Sequence, residues 1–273
     1  MTRISFNAST VASSPRALTG LAGAARYEYR MHLRRPAVWI VELTLIGLVF
    51  LGAGPRHPMH LGADTPVAAL IGGWALTFNL LLPLGVGILL ADRGRRERRL
   101  GIDELLDATP TGRGLRWWGK ALGVTAAAAT PIACAWVVLL TVVAISRGPA
   151  VVPLGIAAFA GVILPGLMFV AAFSLAVPLV TGPALFRVLF IGYWFWGNLL
   201  SPSFAIPTLS GTIIEPLGEY ASAGWFGGMT LTATERGVEP DGMLAAASVA
   251  VLLATSVGVL LLAHVTRARR SRP

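Results

Sequence analysis

Six apolar runs, each near the ~20 residues that a helix needs to cross a bilayer, leave this chain few ways to fold. They fall at about 37–54, 66–90, 119–145, 151–178, 185–206 and 242–264. In hydrocarbon every backbone group must find its partner within the protein, so runs of this length specify helices rather than open strands. The expected fold is all-α: a polytopic membrane protein with six transmembrane helices spread over residues 36–264. Composition enters where it decides something. Of 273 residues, 55% are hydrophobic and only 13% charged, more apolar surface than a soluble domain hides. The net charge of +9 invites a nucleic-acid reading, but the basic residues are separated by long apolar runs, so no nucleic-acid partner is expected. The single cysteine, Cys134, lies inside the third run, which excludes an intrachain disulfide framework and a cysteine-based metal site.

Glycine and proline punctuate the runs. Pro36 suits the first position of the first span, where a missing N–H costs nothing. Arg147-Gly148-Pro149 reads as a tight hairpin, and Thr181-Gly182-Pro183 as another short turn. Pro83, Pro131 and Pro165 fall inside spans and should kink them. Orientation follows from the basic residues. With the amino terminus cytosolic, 19 of the 22 Lys/Arg lie inside and only Arg56, Arg147 and Arg236 outside, which satisfies the positive-inside rule. Both termini are then cytosolic, including the basic tail 265–273. The polar first residues carry no secretory apolar region, so targeting is expected to fall to the first span.

Residues 1–35 divide into a tail and a helix. From about Pro15, Leu18, Leu21, Ala25, Tyr29 and Leu33 share one helical face, while Arg26, Arg30 and Arg34 form an adjacent stripe. This pattern predicts an interfacial amphipathic helix, apolar side in the acyl boundary and arginines toward anionic headgroups. The outer connection, 207–241, is long and half apolar. Ile213, Ile214, Leu217, Trp225, Phe226 and Met229 are expected on short helices in or dipping into the outer leaflet, with Glu215, Glu219, Glu235, Glu239 and Asp241 making that face acidic.

Between the second and third spans, residues 92–118 form the one long, densely charged segment. Arg93, Arg95, Arg96, Arg98 and Arg99 lead into a short helix whose Ile102, Leu105 and Leu106 share a face decorated by Asp103, Glu104 and Asp107. Pro110 disfavours helix at Thr109 and stops it. Arg113, Arg116, Trp117, Trp118 and Lys120 then form the basic and aromatic collar of a helix entering lipid. Gly114 to Lys120 fits a phosphate-loop spacing, but Ala121 offers no hydroxyl to Mg²⁺ and two tryptophans crowd the loop, so it is a decoy.

Other candidates are sparse. Glu42 is an acid about 9 Å into the first span, and either contacts substrate or pairs with an arginine of the preceding helix. Tyr193, Trp194, Phe195 and Trp196, with Asn198, could line a path along the fifth span. His57 and His60 with Asp64 are a weak metal pattern, and no metal or catalytic site is expected. Ala246, Ala250, Ala254 and Gly258 form a small-residue stripe expected to pack within the subunit.

The central segment resembles the permease subunits of ABC transporters of the ABC-2 type. The match rests on Asp92 at the end of the second span, then Gly101, Glu104, Leu105, Leu106, Pro110, Arg113, Gly119 and Lys120, with Ile102 where a threonine is usual. It extends to the amphipathic amino-terminal helix, six spans and long outer connection. The resemblance implies a cell (plasma or inner) membrane exporter without its own ATPase site. A second permease subunit and separate ATPase subunits would complete it, with ATP and Mg²⁺ bound on the partner. It also implies that Ile102 to Asp107, with Pro110 and Arg113, contact that ATPase as a coupling helix.

Overall fold

A computed structural model describes residues 15–52, 64–93, 112–204 and 206–270. Among these residues every regular element is helical: α1 (Pro15–Leu33), α2 (Pro36–Leu51), α3 (Val67–Leu90), α4 (Arg113–Arg147), α5 (Val151–Thr181), α6 (Pro183–Asn198), α7 (Glu219–Phe226) and α8 (Gly242–Arg270). Four of them, α3, α4, α5 and α8, are long and apolar enough to cross a membrane. The first and fifth apolar runs give α2 and α6, of 16 residues each, or about 24 Å of helix at 1.5 Å per residue. The fifth run was expected to continue to 206. The helix instead stops at Asn198, and Pro202–Phe204 forms a separate 3₁₀ turn. Pro202 has no amide to extend α6 and disfavours helix at Ser201.

Pro36 does occupy the first turn of α2, as expected. Gly148 and Gly182 both take φ of +91°, a conformation that costs a residue with a Cβ, and so turn the chain between α4, α5 and α6. Pro83 and Pro131 lie inside α3 and α4. Pro165 follows a π-helical stretch, Phe159–Ile163, so α5 meets its proline with a local change of helix type.

Helix α3 is the centre, with α2, α5 and α7 packed on it, while α8 packs on α5 and α7. Phe78 of α3 meets Trp136 of α4 edge to face, with centroids 5.2 Å apart. The largest fully buried side chains come mostly from α3 and α5, including Phe78, Ile71 and Leu167, with Trp194 from α6, Ile132 from α4, Leu252 from α8 and Leu217 from the outer connection. Helix α1 runs along α4, where Gly119 and Gly123 leave a groove one turn apart. A Cβ at Gly119 would lie 2.6 Å from that of Ala24, and one at Gly123 2.9 Å from that of Glu28. The backbone of α1 at Leu21 and Ala25 therefore meets the glycine face of α4, while Leu21 and Ala25 of the apolar stripe are half-buried and Leu18 is exposed. The stripe's Tyr29 pairs by its hydroxyl with Thr130 of α4, at 3.2 Å.

The small-residue stripe of α8 is the second departure. Ala246, Ala250, Ala254 and Gly258 are all exposed, and the buried face carries Ala245, Ser248, Leu252, Ser256 and Leu260. Small size permits close packing but does not choose the face, and the bulkier Leu252 and Leu260 are buried. The basic tail also begins as helix, since α8 continues to Arg270.

Candidate functional site: the anchored ends of the 94–111 segment

The charged segment leaves the described residues at Arg93 and returns at Gly112. Gly101, Ile102, Asp103, Glu104, Leu105, Leu106, Asp107 and Pro110 lie outside the described residues, so the structure speaks to the ends that hold them. The first end is fixed from two sides. The Arg93 guanidinium donates to Glu28 Oε2 of α1 at 2.5 Å, with both side chains buried. Lys120 of α4, also buried, donates through Nζ to the Arg93 carbonyl at 3.3 Å. One residue earlier, Asp92 pairs with Arg187 of α6, whose Nε also donates to the Ile88 carbonyl at 3.2 Å.

The second end is held by aromatic contacts. Trp117 Nε1 donates to the Leu260 carbonyl of α8 at 3.0 Å, and the Arg267 guanidinium lies 5.0 Å from the centre of the Trp117 ring. Arg113 starts α4. Gly114 to Lys120 is continuous helix from the first turn of α4, not a loop between a strand and a helix, so it does not have the form of a phosphate-binding loop. Gly119 and Lys120, read from sequence as motif residues, thus have local tasks: one admits α1, the other ties α4 to the backbone at Arg93.

A buried histidine completes this cluster. His32, on the same face of α1 as Glu28, is 1% exposed. Burial, then the charges of Arg93 and Arg35, lower its pKa to about 4, so the ring is neutral at pH 7. Glu28, His32 and Arg187 were missed as partners in the sequence. Glu28 offered a signal, being the one acid among the arginines of its helix.

The candidates for a pathway do not converge. Trp194 and Asn198 share the buried face of α6, and Trp194 donates to the Leu80 carbonyl at 2.8 Å, while Trp196 is 43% exposed on the opposite face. Glu42 is buried against α3 beside Gly85, and neither carboxylate oxygen has a hydrogen-bond partner. The expected pairing with an arginine of α1 does not form, because Arg26, Arg30 and Arg34 occupy the exposed face of α1. Among the described residues no group of three potential metal ligands occurs. Asp64 is described, whereas His57 and His60 lie outside the described residues.

On the other side of α3, the outer connection enters the bundle. Asn79, at the middle of α3, donates to the Val162 carbonyl of the π stretch at 2.8 Å and to the Leu217 carbonyl at 3.0 Å. Leu217 and Ala221 are fully buried. The connection therefore reaches half the depth of α3 and carries α7 back outward, where Phe226 meets Gly72. Glu219 organises the return. Its Oε1 accepts the amides of Leu231, Thr232 and Ala233 at 2.6, 2.8 and 2.8 Å, and its Oε2 accepts the Thr232 hydroxyl at 2.9 Å. Glu215 Oε2 accepts the Gly211 amide at 2.5 Å, and Arg236 donates to the carbonyls of Ser210 and Thr208 at 2.6 and 2.8 Å. The acidic residues of this connection thus divide, Glu215 and Glu219 being structural while Glu235, Glu239 and Asp241 are not buried.

Four helices long and apolar enough to cross a membrane, with every regular element among the described residues helical, define an all-helical membrane protein. No family model and no curated protein matches the chain.

Proposed function

We propose that this chain is the membrane permease subunit of an ATP-driven exporter of the ABC-2 type. Residues 100–109 act as the coupling helix, and separate cytosolic ATPase subunits grip it, with ATP and Mg²⁺ held on those partners. Ile102, Leu105 and Leu106 enter an apolar cleft of the ATPase, while Asp103, Glu104 and Asp107 meet its basic rim. Pro110 and Arg113 set the return into α4. A second permease chain completes the pathway in the cell membrane, with both termini cytosolic.

One observation carries this reading: both ends of the 94–111 segment are fastened to several helices at once. Arg93 is tied to α1 and α4, Asp92 to α6, and Trp117 to α8. A displacement of the segment is therefore delivered to α1, α3, α4, α6 and α8 together. A solvated loop with no mechanical task needs no such fastening.

Purification of the intact complex tests the proposal. A nucleotide-hydrolysing chain should copurify, and Leu105→Arg should leave the protein inserted while abolishing the coupling of hydrolysis to transport. Absence of such a partner, or normal coupling in the variant, ends it. A second reading, an ion-coupled carrier, draws on the unpartnered Glu42 carboxylate. Transport driven by an ion gradient without ATP, and lost in Glu42→Gln, would favour it. A noncatalytic membrane anchor is the third outcome, read as partner binding with no transport in either assay.

A further inference from the structure

Glu215 sits on a short bend, residues 211–218, that carries the outer connection down to Asn79. Gly211 and Gly218 bound the bend with φ of +70° and +78°, conformations that a residue with a Cβ adopts only under strain. Both ends are also gripped. A Cβ at Gly211 would stand 2.7 Å from the Thr232 carbonyl oxygen, and one at Gly218 2.9 Å from Val162 Cγ1 of α5. Ile214 is 40% exposed, whereas Glu215, the next residue, is 1% exposed. The bend thus takes a carboxyl from the surface into the interior within one residue.

The two oxygens of that carboxyl are treated unequally. Oε2 accepts the Gly211 amide and closes the bend, while Oε1 is buried without a hydrogen-bond partner. The neighbouring charges do not balance it. Arg236 directs its guanidinium to the carbonyls of Ser210 and Thr208. Glu219 of α7 brings a negative charge into the same interior, where four donors hold it. Tyr193 of α6 and Tyr220 of α7 are the other titratable groups that face Glu215, and the Tyr220 hydroxyl donates to the Gly211 carbonyl. A second carboxylate charge beside Glu219 and away from water is costly, and such a group takes up a proton instead. Burial first, then the Glu219 charge, push the Glu215 pKa well above the ordinary carboxylate range, against the opposing effects of the Gly211 amide and Arg236.

We propose that Glu215 is a proton-binding site that latches this bend: with the proton bound, residues 211–218 stay seated against α5, α7 and Asn79, and its loss to the solvent at that end of the molecule releases them. The neutral acid keeps its bond to the Gly211 amide through one oxygen and carries the proton on the other, so no second charge opposes Glu219. Ionisation places two negative charges in one dry interior. Glu215 is then drawn toward water along the path of the exposed Ile214, with the two glycines absorbing the change of backbone angle. The outer connection thereby answers to the pH of the solvent it meets. This site does not rest on the transport reading.

The test compares the detergent-solubilised full chain with Glu215→Gln, whose amide reproduces the neutral acid in shape and keeps an oxygen for the Gly211 amide. A carboxyl whose folded pKa is raised contributes its stability below the ordinary value of 4.5 and loses it as pH rises. Unfolding temperatures of the two chains should therefore lie closest near pH 4.5 and separate in favour of the variant as pH rises through neutral. His32 and Glu42 are present in both chains and cancel in that difference. Hydrogen exchange of the amides of residues 207–218, corrected for its intrinsic pH dependence, should quicken several-fold in the wild-type chain over the same rise and stay constant in the variant. A glutamate that is only structural gives the opposite sign, with the variant the less stable chain at neutral pH or unable to fold, and that result overturns the proposal. So does a stability difference that does not change with pH, or exchange at 207–218 that responds equally in the two chains.

Discussion

Gly123→Ala is the sharpest perturbation of the seam between α1 and α4. The added methyl would stand 2.9 Å from Glu28 Cβ and closer still to the Ala25 carbonyl oxygen. Carbon atoms prefer about 3.5–4.0 Å, so α1 must retreat by roughly 0.5–1 Å. Overpacking of this kind costs about 1–3 kcal/mol. The same shift stretches the 2.5 Å contact between Glu28 and Arg93 toward the outer limit of a hydrogen bond. Both groups are buried, and complete loss of a partner in such a pair costs about 3–5 kcal/mol. A total near 3 kcal/mol is expected, because a side-chain rotation recovers part of the ion pair. Gly192→Ala is the control: nothing lies within 4 Å of that position, and helix propensity favours alanine by up to about 1 kcal/mol. Thermal unfolding of the solubilised chain should separate the two variants clearly, and Glu28→Gln should cost less in the Gly123→Ala background than alone. If Gly123→Ala unfolds with or above Gly192→Ala, the seam is not tight and the reasoning fails.

Three further outcomes are expected. His32 has a folded pKa near 4 against an ordinary 6.5, so the unfolded chain takes up the proton first. Stability is therefore full above pH 6.5 and falls by about 1.4 kcal/mol per unit toward pH 4; His32→Phe should flatten a plot of unfolding temperature between pH 6.5 and 5. Removing the Glu219 carboxylate by Glu219→Ala leaves three amides and a hydroxyl without their acceptor, at about 1–3 kcal/mol for each group that stays buried, and proteolysis near residues 228–241 should become much faster. By contrast Asp92→Asn opens only a half-exposed pair with Arg187 and should change stability by less than about 1 kcal/mol, a small shift that the same unfolding assay resolves.

Much of the architecture was already legible in the residues. Runs of apolar side chains tell of helices because hydrocarbon satisfies no backbone group, and Gly148, Gly182 and Pro36 punctuate the structure where they do the sequence. Legibility ended where a face had to be chosen. The periodicity of α1 shows that Leu21 and Ala25 share a face, but it does not show that Ala24 and Glu28 will be the side chains pressed against Gly119 and Gly123. Nor does any local pattern reveal that Glu28, sixty-five positions before Arg93, will be its partner. Glu219, counted in the sequence as outer acidity, turned out to be the buried acceptor for a distant loop.

The sequence by itself determined that this chain is helical, membrane-embedded and strongly biased in the placement of its positive charge, because those properties follow from length, hydropathy and spacing within single segments. Only the tertiary structure decided which charges are buried in pairs, that the outer connection reaches Asn79 at the middle of α3, and that the α8 stripe faces outward. These depend on which helices are neighbours. Such a choice is made by the fit of whole surfaces, a glycine groove here and a bulky leucine there, and not by any one stretch of residues.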